Sequence, residues 1–167
     1  MKNFGVFVLC AILIMPLLVS CAGGLGAQST REAVLRGEMA FNDVTGKDWV
    51  LTEIRRAGNI VQIDRKQLAT KDIGDFFTIN FQEGRVSGIG APNRYFGPYT
   101  LGSGGEISFG NIASTMMAAF IEAEELKEHE YYAYLNNVTR WNLRDDRLEL
   151  VSSTAAGAET ILVFTVK

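Results

Sequence analysis

Hydrophobic residues are distributed along this chain in two different ways. Val6–Val19 is a single uninterrupted apolar run, whereas from Trp49 onward short apolar stretches alternate with polar residues and turn signals. In Trp49-Val50-Leu51-Thr52-Glu53-Ile54 a side-chain period of two puts Trp49 and Leu51 on one face. In Phe77-Thr78-Ile79-Asn80-Phe81 the same period gathers Phe77, Ile79 and Phe81 on a core side and turns Thr78 and Asn80 out. Strands are predicted over 49–54, 59–63, 76–81, 85–89, 94–101, 106–109, 139–144, 147–151 and 160–166. Glu83-Gly84, Gly102-Ser103-Gly104-Gly105 and Asp145-Asp146 read as tight turns joining neighbouring strands into hairpins. Such a succession makes an antiparallel meander, of barrel or sandwich type. Residues 118–137 break the pattern. They are rich in Ala, Glu and Leu, and a helix there would gather Leu126, Tyr131, Tyr134, Leu135 and Val138 on an apolar stripe, with Glu124, Glu128 and Glu130 turned away.

The N-terminal run is of another kind. As a helix it would extend roughly 21 Å, against a hydrocarbon core of about 30 Å, and Pro16 would disturb it. Lys2, the run itself and the small residue Ser20 follow the plan of a secretory signal peptide. Leu17-Leu18-Val19-Ser20-Cys21 resembles the cleavage site of bacterial lipoproteins, which implies a diacylglycerol on Cys21. A plain secreted chain and an uncleaved short span are the competing readings. The expected organisation is a signal peptide over 1–20, a lipidated Cys21 and flexible tether over 21–42, and a domain over 43–167. A flexible tether of about 20 residues reaches roughly 25 Å, enough to stand a domain clear of the headgroups. Behind Cys21, Ala22-Gly23-Gly24-Leu25-Gly26 is flexible and lacks a stop-transfer cluster. The expected location is the cell membrane or the outer membrane, with the domain in the periplasm or at the surface.

Composition narrows the chemistry. The formal net charge is −3, and the exported part loses Lys2 as well, so a nucleic-acid partner is not expected. The two cysteines are Cys10 and Cys21, which leaves the domain without a disulfide and without thiolate ligands. His129 is the single histidine. No metal or other cofactor is expected. No Gly-x-Ser-x-Gly elbow or phosphate-loop motif occurs. His129 reads as a solvated helix residue paired with Glu125, and Gly88-x-Gly90 as a bend between strands. No catalytic residue is assigned.

The ordered landmarks of the domain resemble the META domain family, which includes the bacterial heat-shock lipoprotein HslJ. Trp49-Val50-Leu51 matches its first strand. Gly88-Ile89-Gly90-Ala91-Pro92-Asn93-Arg94-Tyr95-Phe96-Gly97-Pro98-Tyr99 follows a Gly-x-x-Gly-Cys-Asn pattern, and Ser114-Thr115-Met116-Met117-Ala118-Ala119 a Ser-Thr-x-Met-Ala-Cys element. A Glu-rich helix over 122–135 and Leu148-Glu149-Leu150 complete the set. Ala91-Pro92 and Ala119 stand where the family carries cysteines, so no thiol role transfers. The resemblance implies a small, partly open antiparallel β-barrel with one packed helix, and an envelope role of the stress or integrity kind.

Asn93, Arg94 and Tyr95 form the candidate interaction surface, since Arg and Tyr are favoured interface anchors; Asn93 also suits a turn. The strand aromatics either fill the barrel or line a cavity for a small apolar ligand. The expected protein is a non-catalytic, lipid-anchored interaction module, attached to the membrane through Cys21, with an envelope protein as its partner; a lipocalin-like carrier is the alternative.

Overall fold

The computed structural model describes residues 40–118 and 123–167. The strands are β1 (Trp49–Arg56), β2 (Asn59–Gln62), β3 (Thr78–Gln82), β4 (Arg85–Ile89), β5 (Arg94–Leu101), β6 (Ile107–Phe109), β7 (Ala113–Ser114), β8 (Val138–Arg144), β9 (Arg147–Ser153) and β10 (Glu159–Val166). Two helices accompany them, α1 (Arg65–Thr70) and α2 (Glu128–Asn136). The strands form one antiparallel sheet in the order β6-β5-β4-β3-β1-β10-β9-β8, with β2 added to β1 and β7 to β5. The sheet curls until its outer strands meet, and a single bridge between Glu106 and Arg140 spans the seam. This is the mainly β, nearly closed barrel that the family resemblance implies, and it decides between the barrel and the sandwich that the alternation leaves open.

Local chemistry fixes the register. Glu83 and Gly84 adopt φ of 50° and 75°, and Asp145 and Asp146 adopt 50° and 57°. Paired left-handed residues turn a two-residue hairpin with the twist its strands require. In β1, Thr52 is an extra residue against β10, between the Leu51–Phe164 and Glu53–Val163 pairs. The strand bends at this bulge, so its first half pairs with β3 and its second with β2.

Side chains fill the interior. Trp49, Leu51, Ile54, Phe77, Ile79, Phe81, Leu148, Leu150, Leu162 and Phe164 are buried in one continuous cluster; Ile54 departs from the period-two pattern and turns inward because of the bulge at Thr52. The two ends of the barrel are plugged differently. At one end the Phe41 ring sits 5.1 Å from Phe81, 5.4 Å from Tyr99 and 4.8 Å from Trp141, and the Trp49 indole donates to the Val44 carbonyl at 2.9 Å. At the other, Tyr131 of α2 packs 5.3 Å from Phe77 and 6.0 Å from Tyr95. Phe77 and Phe81 are roughly 13 Å apart along β3 at about 3.3 Å per residue, so the plugs face each other through the core.

Three expectations need correction. The helix is shorter than 118–137: Ala118 and residues 123–127 are not helical, because Lys127 caps the start of α2 through a capping box with Glu130. Leu126, Tyr131, Leu135 and Val138 are nevertheless buried. α1 was not expected, since it offers one apolar anchor, Leu68, behind an Asp64 cap that accepts from the Gln67 amide at 2.9 Å. The tether reading to residue 42 runs too far, for Phe41 is only 1% exposed within the core. Cys21 and the signal-peptide expectation lie outside the described residues.

Candidate functional site

The most elaborate polar construction surrounds the turn between β4 and β5. Glu128, at the start of α2, reaches across to it. Its Oε1 accepts from the Ala91 amide at 2.5 Å and the Asn93 amide at 2.7 Å, and its Oε2 accepts from Asn93 Nδ2 at 2.7 Å. Asn93 in turn accepts at Oδ1 from the Thr115 hydroxyl at 2.8 Å and the Met117 amide at 2.6 Å. Two side chains thus tie together the 90–93 turn, the 113–117 segment and α2. The expectation that Glu128 points to solvent is incorrect: a carboxylate is what three backbone and amide donors in a half-buried turn demand.

Gly88 and Gly90 are explained by the same construction. A Cβ on Gly88 would lie 2.1 Å from the Thr78 carbonyl oxygen and 2.8 Å from the Tyr95 hydroxyl, and one on Gly90 would lie 2.6 Å from both Glu128 Oε1 and the Tyr132 hydroxyl. Beneath the turn, the Tyr95 and Tyr131 hydroxyls lie 2.8 and 3.1 Å from the Thr78 carbonyl and 3.2 Å from each other; with one proton each, Tyr95 donates to the carbonyl and Tyr131 donates either there or to Tyr95. Burial pushes both phenols above their usual ionisation range, and burial together with the Glu128 charge does the same for Tyr132.

The predicted surface triad is therefore divided. Tyr95 is 1% exposed and Asn93 is 7% exposed, so neither can serve as a contact surface; both are structural, because β5 alternates and Tyr95 takes the inward position. Arg94, one residue on, points outward. It lies on the wall shared by two adjoining clefts. One, of about 620 Å³, runs over the outer face of β3, β4 and β5 and is lined by Asn80, Gln82, Ser87, Phe96 and Lys167 among others. The second, of about 460 Å³, is more apolar, with Ile73, Phe76, Ile89, Pro92 and Met117. Asp75 borders both and is bonded to Lys167 at 2.6 Å, which, with the added pull of Arg65 and Arg94, holds its carboxyl below the usual range. Arg65 braces the cleft wall from behind by donating to the carbonyls of Phe76, at 2.8 Å, and Gly74. A third cleft, of about 520 Å³, follows the seam between β6 and β8.

A family model described as META domain matches residues 42–165. The chain belongs to the META domain family. Two solved structures share the fold of this META domain. An NMR structure of a protein from Burkholderia xenovorans has a TM-score of 0.56 at 23% identity, covering 77% of this chain and 87% of that one. A crystal structure of a DUF4847 family protein from Bacteroides vulgatus has a TM-score of 0.51 at 17% identity, covering 75% and 96%. No curated protein sequence matches the chain.

Within the META domain, Ala91 is buried and its amide is bonded to the Glu128 carboxylate, while Pro92 lines the second cleft; Ala119 lies outside the described residues. His129 is exposed, and Glu125 precedes α2 instead of sharing its face, so the expected pairing between them does not form. Glu128, Tyr131, Tyr132, Thr115 and Asp75 escaped sequence reasoning. Only the capping of a turn by Asn93 gave a local hint, and its partner stands 35 residues away. Among the described residues no His, Cys, Asp and Glu group could hold a metal ion, and no helix is long and apolar enough to cross a membrane.

Proposed function

We propose that this META domain protein is a lipid-anchored, non-catalytic binding module of the cell envelope that recognises a protein partner through the clefts around Arg94. The observation that carries the reading is the placement of Arg94. It is exposed, it borders both clefts, and its guanidinium has no hydrogen-bond partner among the described residues. Arginine at the centre of a partly apolar patch is a favoured anchor of interfaces. The filled interior supports recognition from outside, since a buried ligand would have to displace closely packed side chains such as Phe77, Phe81 and Phe164. Leu17–Cys21 supports anchoring, and Phe41 bears on the geometry: the chain enters at the barrel end opposite α2, so the Arg94 clefts lie toward the end remote from a membrane tether.

Two measurements test this. Cys21→Ala is expected to move the protein from the detergent phase to the aqueous phase in partitioning; retention in detergent would remove the anchor. A photocrosslinking residue at position 94 in intact cells is expected to trap one discrete envelope protein, and the same residue at Ala156, in the exposed turn before β10, is not. Equal trapping at both positions would remove the recognition surface.

A further inference from the structure

Arg94 does more than mark a surface, because the two clefts it separates differ in chemistry. We propose that they form a site for the free C-terminal end of a peptide whose last residue is apolar; this rests on the binding role proposed above and names its ligand. The terminal residue of such a peptide carries a carboxylate and an apolar side chain on the same Cα. The site offers the matching pair on one wall: a guanidinium whose N–H donors are unused, and beside it the apolar cleft of Ile73, Phe76, Ile89, Pro92 and Met117. An arginine fork is suited to a carboxylate, and capture of a chain-terminal carboxylate is an established mode of peptide recognition.

The second cleft accounts for the rest of the ligand. Gln82 and Ser87 line it, and their side chains make no hydrogen bond among the described residues. They present donors and acceptors to the amides of the preceding residues. A fatty acid would satisfy Arg94 and the apolar cleft but leave this polar face idle. A glycan would use the polar face but leave the apolar cleft idle. A peptide end uses both. Three carboxylates line the clefts, Asp48, Asp72 and Asp75. Asp75 is bonded to Lys167 at 2.6 Å and Asp48 to Asn80 at 2.9 Å, and none of the three hydrogen-bonds the Arg94 guanidinium. Their charge disfavours a ligand with an acidic last residue.

The wall is built to stay in place. Arg94 follows Asn93 directly, its amide donates to the Thr115 hydroxyl at 3.2 Å, and its carbonyl accepts from the Thr115 amide at 3.0 Å. Met117 is held through its own amide to Asn93, so the backbone that carries the cation and the apolar lip is fixed through Asn93 and Thr115. Such pre-organisation lowers the ordering cost of binding.

Fluorescence anisotropy on the full-length protein in nanodiscs, with empty nanodiscs as background, decides the matter. The probe is a labelled hexapeptide ending in phenylalanine, as the free acid and as the C-terminal amide. The acid is expected to bind at least about tenfold more tightly than the amide, the size of one charge-assisted hydrogen bond. Arg94→Gln is expected to abolish the preference for the acid over the amide. A peptide ending in aspartate is expected to bind no better than the amide. Equal affinity of acid and amide for the unaltered protein overturns the proposal, and this arm does not depend on the folding of any variant. Laurate bound through Arg94 where the peptide acid is not also overturns it, in favour of a fatty carboxylate. If crosslinking at position 94 traps a partner while no free peptide end binds, the recognition surface stands and the peptide-end ligand falls.

Discussion

At the scale of single residues the decisive element is Asn93, which joins a carboxylate on one side to a hydroxyl and an amide on the other. Asn93→Ala removes these bonds from groups that are half-buried or exposed and is expected to cost about 1–2 kcal/mol in a denaturant melt. Asn93→Asp is expected to cost more at neutral pH, because it sets a second carboxylate where Nδ2 now lies 2.7 Å from Glu128 Oε2. Acidification lets the two carboxyl groups share a proton, so the gap between the Asp and Ala variants should close as the pH falls. A gap independent of pH would mean that Glu128 does not face Asn93. Gly88→Ala must displace the Thr78 carbonyl or the β4 backbone, with an expected loss of about 1–3 kcal/mol. The sequence shows Asn93 as a turn residue, since φ preferences are local, but not the close approaches across the barrel that Gly88 and Gly90 permit. It hides Glu128, since nothing in a run of helix carboxylates distinguishes the one that points inward.

At the scale of elements, strands were far more legible than helices. Alternation with period two depends only on which face is buried, and the barrel buries one face of nearly every strand, so nine of the ten strands coincide with a predicted one. The exception is instructive: β7, two residues long, buries neither of them. β2 is found at 59–62 although it is exposed except for Val61. Helix formers over 118–137 overstate α2 because propensity extends through residues that tertiary contacts do not hold in a helix. The seam is where the elements fit least tightly. β6 and β8 face each other with one bridge, Glu106 to Arg140, whereas β9 and β10 pair through seven residues from Glu159–Ser153 to Thr165–Arg147. Amides of β8 that point toward the seam are therefore expected to exchange with solvent much faster than those bonded to β9. Uniform protection across β8 would mean that the barrel closes fully in solution.

At the scale of the whole molecule, a disulfide-free barrel depends on the plugs at its two ends. Phe41 precedes the residues matched by the family model yet closes one end against Phe81, Tyr99 and Trp141. Phe41→Ala is expected to cost about 3–5 kcal/mol in a denaturant melt, and a loss below about 1 kcal/mol would show that the end stays closed without it. The opposite end depends on phenols. Tyr95 and Tyr131 are buried and bonded to each other and to Thr78, and burial raises both above the ordinary value of 10.0. A folded value above the unfolded one means that the protonated phenol favours the folded state. Stability from this pair is accordingly complete below about pH 10, and above that it falls as the unfolded chain ionises first. Each of the two phenols adds a loss of about 1.4 kcal/mol per pH unit in that window. Alkaline titration should thus show tyrosinate absorbance from this pair appearing together with loss of β-sheet circular dichroism, while the half-buried Tyr99 and Tyr134 ionise earlier. Tyr131→Phe removes one of the two ionisations and should make unfolding less steep with pH. If the buried phenols ionise with the sheet intact, α2 opens independently and the barrel does not need that plug.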